Sequence, residues 1–430
     1  MKIGQAKSLR GTINLPGDKS ISHRAAMLAA IAVGETWIEN FSASADCHTT
    51  IKCLEDLGVS FMQDGSNVFV KGVGKTGFRK PEKPLDCGNS GTTMRLLSGI
   101  LAGQDFESTL IGDESLGKRP MHRIVDPLEK MGARIQTNEG KPPLIISGTH
   151  SLRTIEYSQL VASAQIKSCI LLAGLNADGE TAVVEPIQTR DHTERMLEWF
   201  GVGVGIEKLE TGTRIAVSGD AALAARDLTI PSDISSAAFF MVAAACLKGS
   251  DVTLPNVGVN PTRKAIFDVL CGFGAGVDIL EPSDVCNEPV GTIHVRGGIA
   301  PADKAVTLDG PMIANLIDEL PIIAVLGTQL DCGIEIRDAG ELRVKESDRI
   351  AAIVENLRRM GADVTEFDDG FKVERSRLKG AVVESFGDHR IVMAFAVAGL
   401  LAEGETEIIG AECADISFPG FFDTLSSVVD

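Results

Sequence analysis

The sequence lacks the features of a membrane protein or a nucleic-acid-binding protein. Of its 430 residues, 41 are Lys or Arg and 59 are Asp or Glu, so the formal net charge is −18. Nucleic-acid binding needs a basic face, and this charge balance argues against it. The longest apolar runs, near residues 237–247 and 391–402, fall well short of the ~18 residues that a membrane span needs. We therefore expect neither a nucleic acid nor a membrane as partner.

The sequence also lacks any paired-cysteine motif. Its nine cysteines are scattered, and no two have the C-x-x-C spacing of zinc sites and redox motifs. The N-terminal segment Met1–Gln5 is not a hydrophobic signal sequence. Both observations indicate buried thiols in a reducing compartment. We expect a cytoplasmic protein without disulfides or zinc.

A candidate anion site lies at Pro16–Arg24, ahead of the apolar segment Ala25–Val33. The Pro-Gly pair breaks the chain, and polar residues follow where the start of a helix exposes unpaired N–H groups. Two cations, Lys19 and Arg24, accompany them, which suits an anion. Lys19 and Ser20 resemble the end of a Walker A loop, but the glycine required before the lysine is absent. A well-capped helix without a ligand is the alternative.

One helix ending recurs along the chain and divides it into units. Each copy has a leucine and, four residues later, a glycine. The glycine stands where the C-terminus of a helix favours a left-handed backbone conformation. These glycines are Gly58, Gly132, Gly201, Gly274 and Gly361, and a sixth copy begins near Leu425. Apolar, Ala-rich helices lie between the copies, and such helices belong inside a shell of sheets. Six units of roughly 70 residues are too long for solenoid repeats and can each hold mixed strands and two helices.

Polar motifs precede the apolar helices. They are Pro16–Arg24, Asp86–Arg95, Gly112–Met121, Ala162–Lys167, Thr189–Arg195, Ile317–Pro321, Leu342–Arg349 and Gly387–Arg390. Each has a structural alternative: a capped helix start, a solvated loop or, for Leu342–Arg349, an exposed salt-bridge ladder on a helix. Together they favour one shared anion site. Its cations would be Lys19, Arg24, Arg119, Arg190, Lys345, Arg349 and Arg390. Arginine suits bidentate binding of phosphate and carboxylate, so small phosphorylated acids are the expected ligands.

Four of these motifs resemble the 5-enolpyruvylshikimate-3-phosphate (EPSP) synthase family. They are Pro16–Arg24, Gly88–Arg95, Leu342–Arg349 and Gly387–Arg390, and the match runs in order from Lys2 to about Phe422. The resemblance implies an α/β fold, a two-domain inside-out α/β barrel of six βαβαββ units, three per domain, with helices buried inside sheets. One domain would comprise residues 15–230 and the other residues 1–14 and 231–430. The hinge would lie near residues 15–17 and 229–233.

The resemblance also implies a reaction. The enolpyruvyl group of phosphoenolpyruvate (PEP) would be transferred to the 5-hydroxyl of shikimate 3-phosphate, with release of phosphate. The step belongs to the shikimate pathway of aromatic amino acid biosynthesis and needs no cofactor or metal. The domains would close like a clamp around the two substrates, and a monomer is expected. Acid and base must act on adjacent atoms, so carboxylates from different units must converge.

The resemblance assigns roles to individual positions. Shikimate 3-phosphate would be held by Lys19, Ser20, Arg24, Ser163, Gln165, Arg190, Asp318 and Lys345. PEP would be held by Lys19, Gly91, Arg119, Gln165, Arg349 and Arg390. The catalytic residues would be Asp318, Glu346, Lys19, His389 and Lys345. Asp318 would accept the proton of the attacking hydroxyl, and Lys345 would support the shikimate ring and the transferring oxygen. Glu346, with Lys19 and His389 as other candidates, would protonate the PEP methylene.

Some positions indicate a branch of the family. The segments Arg190–Glu194, Ser163–Lys167 and Asn260–Arg263 resemble the branch associated with tolerance to the herbicide glyphosate. Gly91, however, is the small residue of sensitive enzymes, where some tolerant relatives have alanine. Leu96, Glu341 and Ile416 replace a Pro, an Asn and a Lys of the enteric branch. The enteric contacts are therefore not carried over to those three positions.

Two alternative functions fit parts of this pattern. The UDP-N-acetylglucosamine enolpyruvyl transferase of cell-wall synthesis shares the six-unit plan. Its members usually carry a Cys in the loop that matches Gly112–Met121, and Lys-Asn where this chain has Lys19 and Ser20. A non-catalytic anion-binding clamp is the second alternative. It would not need Asp318 and Glu346 beside its cations, since those carboxylates would repel the ligand.

Overall fold

The computed structural model describes residues 1–301 and 306–430. The chain forms two compact units, each with its own hydrophobic core. The middle unit comprises Gly17–Ile230 and Val285–Glu288. The flanking unit comprises Met1–Pro16, Pro231–Asp284 and Pro289–Asp430.

Helices and short strands alternate along the chain. The strands are β1 Lys2–Gly4, β2 Arg10–Thr12, β3 Val33–Glu39, β4 Ser60–Asp64, β5 Asn67–Val73, β6 Leu85–Asp86, β7 Glu107–Ile111, β8 Arg134–Asn138, β9 Lys141–Ser147, β10 Glu156–Ser158, β11 Glu180–Glu185, β12 Val204–Leu209, β13 Gly212–Ser218, β14 Leu228–Thr229, β15 Asp251–Gly258, β16 Gly276–Val285, β17 Glu288–Arg296, β18 Thr307–Leu308, β19 Ile334–Ile336, β20 Val364–Phe367, β21 Gly370–Val373, β22 Val382–Glu384 and β23 Glu405–Ile409. The helices are α1 Lys19–Ile31, α2 Ala45–Asp56, α3 Gly91–Ala102, α4 His122–Met131, α5 Ala164–Gly174, α6 His192–Trp199, α7 Ile234–Cys246, α8 Ala265–Gly272, α9 Pro311–Leu316, α10 Leu320–Gly327, α11 Arg349–Arg359, α12 His389–Leu401 and α13 Phe421–Val428. Short 3₁₀ helices lie at Leu116–Lys118, Gly340–Val344 and Ala411–Ile416.

The middle unit contains three four-stranded sheets with one pairing pattern. Their strand orders are β14-β3-β5-β4, β6-β7-β9-β8 and β10-β11-β13-β12. In each, the first two strands in the order are parallel and the remaining pairs are antiparallel. A parallel pair needs a crossover connection, which α3 supplies between β6 and β7 and α5 between β10 and β11.

The flanking unit repeats this pattern. Its sheets have the orders β16-β17-β15-β2, β18-β19-β21-β20 and β1-β23-β22. The parallel pairs are β2 with β15, β18 with β19 and β22 with β23. Helix α10 follows β18 and precedes β19, and α12 connects β22 to β23. The protein is therefore a mixed α/β protein with six small mixed sheets.

Six apolar helices form the centre of the two cores: α1, α3 and α5 in the middle unit and α7, α10 and α12 in the flanking unit. Every residue of α10 is buried, and α12 is buried from His389 to Leu400. A helix that is apolar on all sides is stable only inside a protein, as the sequence predicts. Within residues 1–301 and 306–430, no helix is both long and apolar enough to span a bilayer.

The remaining longer helices have one buried face. Helix α11 buries Ile350, Ile353, Val354 and Leu357, which recur with the helical period, while Glu355 is exposed. The helix-ending glycines predicted from the sequence all have positive φ, between +67° and +109°. They are Gly58, Gly132, Gly201, Gly274 and Gly361. The predicted left-handed endings are confirmed.

The start of α1 has a specific need for glycine at position 17. A Cβ on Gly17 would lie 1.8 Å from the carbonyl oxygen of Asn40, closer than any two such atoms approach. Asp18 then caps the helix, since its Oδ1 accepts a hydrogen bond from the N–H of Ile21 at 2.9 Å. The Pro-Gly pair and the capping aspartate together fix where Lys19 begins the helix.

Candidate active site

In the middle unit, Lys19 and Arg24 lie on the first two turns of α1. The Nζ of Lys19 is 2.9 Å from Oδ2 of Asp46, and both side chains are less than a fifth exposed. Arg24 is buried, and three of its nitrogens donate to protein oxygens. Nε donates to Oγ1 of Thr193 at 2.7 Å, Nη2 to Oγ of Ser168 at 2.8 Å, and Nη1 to the carbonyl of Ser20 at 2.9 Å. These bonds fix the plane of the Arg24 guanidinium and join α1 to α5 and α6.

Burial and neighbouring charges change the pKa of Arg24. Burial lowers its pKa to about 10, Glu194 opposes that change, and the like charge of Arg190 adds to it. At neutral pH the guanidinium remains charged. Two arginines of the predicted phosphate site are thus neighbours, and a phosphate group would relieve their mutual repulsion.

The predicted PEP residues of the middle unit also lie together. Gln165, in the first turn of α5, accepts a hydrogen bond from Nη1 of Arg95 at 2.7 Å and donates to Oγ1 of Thr92 at 2.9 Å. A Cβ on Gly91, the first residue of α3, would lie 2.8 Å from Nη1 of Arg95 and 3.3 Å from Nη1 of Arg119. The start of α3 therefore has two guanidinium groups and an amide beside a residue without a side chain, an arrangement suited to an anion.

Two further predicted residues stand at helix starts. Ser163 caps α5, with its Oγ accepting from the N–H of Ile166 at 3.4 Å. Arg190 lies two residues before the first residue of α6 and is partly exposed. Arg119 is buried, and its Nη2 donates to Oδ1 of Asn89 at 2.9 Å.

In the flanking unit, one buried arginine collects three carboxylates. Nε of Arg349 donates to Oδ2 of Asp388 at 2.7 Å, and Nη2 donates to Oε2 of Glu346 at 2.6 Å. Nη1 of Arg349 donates to Oδ1 of Asp318 at 3.4 Å. The predicted base and the predicted acid are thus held by two different nitrogens of a single guanidinium.

Arg390 approaches the same carboxylate from α12. Its Nη1 donates to the backbone carbonyl of Asp318 at 2.9 Å, and its Nη2 is 3.6 Å from Oδ2 of Asp318. Nη1 is also 3.8 Å from Oε1 of the buried Glu319. Asp318 therefore lies between two arginines that were predicted to bind PEP.

Both members of the buried pair of Arg349 and Asp388 have shifted pKa values. Burial disfavours the charge of Arg349, yet the attraction of Asp388, Glu346 and Asp318 raises its pKa above the usual arginine value. Burial likewise opposes ionisation of Asp388, but the attraction of Arg349 dominates and lowers its pKa. Both groups are therefore charged at neutral pH.

The structure corrects one interpretation of Leu342–Arg349. That segment is not one helix: a 3₁₀ helix ends at Val344, and α11 begins at Arg349 after its N-cap Asp348. Lys345 and Arg349 consequently do not share a helical face. The ion pair between Glu346 and Arg349 exists but is not an exposed ladder, because the Arg349 side chain is only 1% exposed. His389, the first residue of α12, is buried.

Sequence reasoning missed several residues that support the site. Asp388 was not selected, although it immediately precedes an apolar helix, the usual place of an N-cap. Asp46, which pairs with Lys19, gave no signal, since it lies in the otherwise unremarked helix α2. Arg95 belongs to a motif that was recognised, but its bond to Gln165 joins residues 70 positions apart and could not be seen in the sequence. Among residues 1–301 and 306–430, no group of three His, Cys, Asp or Glu side chains could hold a metal ion.

The comparisons with known proteins agree with one another. The family model of EPSP synthase (3-phosphoshikimate 1-carboxyvinyltransferase) matches residues 3–425. The 3-phosphoshikimate 1-carboxyvinyltransferase of Pelotomaculum thermopropionicum is 52% identical over 433 residues, covering 100% of this chain and 99% of that protein. The enzyme of the same name from Solibacter usitatus is 48% identical over 431 residues, with the same coverage. A solved structure of EPSP synthase from Acinetobacter baumannii is 42% identical, has a TM-score of 0.86, and matches over 99% of this chain and 97% of that one. The chain belongs to the EPSP synthase family.

Proposed function

We propose that the residues predicted from the sequence perform the family's reaction in this chain. Family membership and full-length relatives about half identical make it a 3-phosphoshikimate 1-carboxyvinyltransferase, a transferase of the shikimate pathway of aromatic amino acid biosynthesis. It transfers the enolpyruvyl group of PEP to the 5-hydroxyl of shikimate 3-phosphate and releases phosphate. The observation that carries our assignment of residues is the buried Arg349, which holds Asp318 and Glu346 on separate nitrogens.

The proposed chemistry begins with protonation of PEP. Glu346 donates a proton to the methylene carbon, which leaves a cation-like carbon beside the phosphate ester. The 5-hydroxyl of shikimate 3-phosphate attacks that carbon while Asp318 takes the hydroxyl proton. The tetrahedral adduct then loses phosphate, which takes the proton held by Asp318, and the methyl group returns a proton to Glu346 as the double bond re-forms. Lys345 supports the shikimate ring and the transferring oxygen, and Lys19 and His389 are the other candidates for the first proton transfer.

The proposed binding sites follow the helix starts of each unit. Lys19, Ser20, Arg24, Ser163 and Arg190 would hold shikimate 3-phosphate. The support is the fixed guanidinium of Arg24 beside Arg190. Gln165 would contact both substrates.

The remaining PEP contacts are proposed for both units. Gly91 and Arg119 would hold PEP from the middle unit, and Arg349 and Arg390 from the flanking unit. The support is the position of Gly91, where a Cβ would lie 3.3 Å from Nη1 of Arg119. That both units act on one pair of substrates is a prediction, and it requires the closure expected from the family.

The finer architecture belongs to the same proposal. Five four-stranded sheets and one three-stranded sheet, each with one parallel pair, and six buried helices support a two-domain inside-out α/β barrel of βαβαββ units. The contact division at Pro16/Gly17 and Ile230/Pro231 supports domains of residues 15–230 and of residues 1–14 with 231–430. A hinge at those crossings, a monomeric state and a cytoplasmic location are further predictions.

We propose membership of the branch associated with glyphosate tolerance on three motifs alone, and tolerance itself is left to measurement. They are Arg190–Glu194, Ser163–Lys167 and Asn260–Arg263. Gly91 opposes this assignment, because it is the residue of sensitive enzymes. Titrating glyphosate against PEP in a turnover assay decides the matter: a tolerant enzyme keeps its rate at glyphosate concentrations far above that of PEP, and a sensitive one loses it.

Phosphate release tests the proposed reaction. Inorganic phosphate should appear only when PEP and shikimate 3-phosphate are both present. UDP-N-acetylglucosamine should not replace shikimate 3-phosphate; if it does, the chain is the cell-wall transferase. Phosphate release from PEP alone contradicts the assignment. Binding of both substrates without any release would instead indicate a non-catalytic clamp.

A further inference from the structure

We propose that Lys167 is a positioning residue for the two arginines, Arg24 and Arg190, that bind the phosphate of shikimate 3-phosphate. This inference rests on the proposed function, in which those arginines form the phosphate site. Lys167 touches neither substrate. It acts through two buried carboxylates: Glu194, which lies near Arg24, and Glu185, which bonds Thr189 beside Arg190.

The ion pairs of Lys167 join three elements of the middle unit. Its Nζ is 2.6 Å from Oε1 of Glu194 and 3.0 Å from Oε2 of Glu185. The three side chains are 0%, 4% and 2% exposed, in the order Lys167, Glu194, Glu185. Lys167 lies on α5, Glu194 on α6, and Glu185 is the last residue of β11. The ammonium group of Lys167 therefore holds α5, α6 and β11 at fixed distances from one another.

The first connection leads to Arg24. The residues next to Lys167 and Glu194 in the sequence, Ser168 and Thr193, accept hydrogen bonds from Nη2 and Nε of Arg24 at 2.8 and 2.7 Å. Their hydroxyl oxygens are also 2.6 Å apart. If α5 and α6 separated, the two acceptors would no longer match the planar fork of the guanidinium. The Lys167–Glu194 pair prevents that separation.

The second connection leads to Arg190. Oε2 of Glu185 accepts hydrogen bonds from Oγ1 and the N–H of Thr189, at 2.6 and 3.2 Å. Thr189 immediately precedes Arg190, so this contact fixes the turn that presents the arginine. The same Oε2 is the atom that pairs with Lys167.

Charge provides an independent reason for the lysine. Two buried carboxylates without a partner would be costly, and they would cancel the attraction of two arginines for phosphate. Burial disfavours the charge of Lys167, but Glu194 and Glu185 together raise its pKa, so it remains an ammonium. Burial raises the pKa of Glu194, against the attraction of Lys167.

Other charged groups also surround these residues. Asp191 lies near Glu194, and Asp18, Glu288 and Arg190 lie near Arg24. Without Lys167, Glu194 would take up a proton more readily. The affinity of the site for phosphate would then depend on pH.

The test compares full-length Lys167→Met with wild type in steady-state kinetics for each substrate. We expect KM for shikimate 3-phosphate to rise at least about tenfold at pH 8, because hydrogen bonds that hold a charged group are lost or misaligned. KM for PEP should change less than about threefold, since the PEP contacts of α3 do not involve the lysine. The ratio of mutant to wild-type KM for shikimate 3-phosphate should fall as the pH is lowered toward 6, as Glu194 becomes neutral.

Two further variants make the result specific. Lys167→Met/Glu194→Gln should recover most of the affinity for shikimate 3-phosphate, because it removes one unpaired carboxylate. Lys75→Met is the control: the Nζ of Lys75 donates to the carbonyls of Leu175 and Gly219 in the same unit, and its loss should leave both KM values unchanged.

Four outcomes would overturn the proposal. They are an equal rise in both KM values, no rise in either, a pH-independent ratio, and the same effect in Lys75→Met. If Lys167→Met does not fold, Thr189→Val decides, since it removes a bond to Glu185 without changing any charge. It should raise KM for shikimate 3-phosphate alone, and an unchanged KM would contradict the role. A wild-type enzyme that releases no phosphate would refute the proposed function instead.

Discussion

Replacing Asp388 by asparagine should destabilise the flanking unit, because it removes a buried charge and replaces the oxygen that accepts from Nε of Arg349 by an NH₂ group, which cannot accept. Asp388 is fully buried, and its two oxygens take hydrogen bonds from Nε and Nη2 of Arg349 at 2.7 and 3.3 Å. Asparagine keeps the shape and can still cap α12, where Oδ1 of Asp388 accepts from the N–H of Arg390 at 2.9 Å. The substitution therefore isolates the buried ion pair from the helix cap.

The expected cost is about 3 kcal/mol. Breaking a buried ion pair by removing one partner costs about 3–5 kcal/mol, and the low end applies because Glu346 and Asp318 still pair with Arg349. For a domain of about 200 residues this lowers Tm by about 6–12 °C. Thermal unfolding followed by calorimetry measures the change. Asp348→Asn is the matched control, since Asp348 caps α11 but pairs with Arg343 at a more exposed site, and it should cost less than about 1 kcal/mol.

The pH dependence of stability distinguishes a buried ion pair from an uncharged contact. The folded-state pKa of Asp388 lies below the ordinary value near 4, so its stabilising charge is fully present above that value and is lost as the pH falls through the folded pKa. The stability difference between wild type and Asp388→Asn should thus be constant from pH 7 to about pH 5 and shrink below about pH 4. A cost no greater than that of Asp348→Asn, or a difference that grows in acid, would contradict the buried ion pair.

Three substitutions in the middle unit test the start of α1, the proposed PEP site and the role of Lys19. Gly17→Ala should lower the free energy of unfolding, measured in urea, by at least about 1–3 kcal/mol, because its Cβ would lie 1.8 Å from a backbone carbonyl oxygen. Gly203→Ala is the control and should lower it far less, since a Cβ there has no atom within 4 Å. Gly91→Ala should fold normally, since the atom nearest to the new Cβ is the flexible end of Arg95. It should raise KM for PEP by a larger factor than KM for shikimate 3-phosphate. Equal increases in the two KM values would contradict a PEP site at Gly91. Lys19→Met should still fold, with a Tm lowered by the loss of the ion pair with Asp46, and should lose turnover by a factor of at least about 10². Wild-type turnover in that variant would remove Lys19 from the site.

Features governed by local chemistry could be predicted from the sequence. The positive φ of Gly58 or Gly361 follows from helix endings, and the burial of α10 and α12 follows from their unbroken apolar composition. The family resemblance added the order of the motifs and the reaction. It also selected Asp318 and Glu346, which both accept hydrogen bonds from Arg349 in the structure.

Contacts between distant segments could not be predicted. The pairs of Lys167 with Glu185 and Glu194 depend on how α5, α6 and β11 pack, and no spacing rule connects them. Leu342–Arg349 shows a different limit. Its alternating charges fit a helix, but Asp348 is a better N-cap than a helix interior residue, so the helix begins later than the charge pattern indicates.

Deuterium transfer to PEP in D₂O tests the role of Glu346 directly. If Glu346 protonates the methylene carbon, wild type should incorporate deuterium at that carbon while it turns over both substrates. Glu346→Gln should lose both incorporation and phosphate release, provided its Tm and its binding of shikimate 3-phosphate are retained. Lys19→Met and His389→Gln serve as comparisons, and each should still incorporate deuterium at the rate at which it turns over. Wild-type incorporation in Glu346→Gln would contradict the central role of the carboxylate held by Arg349.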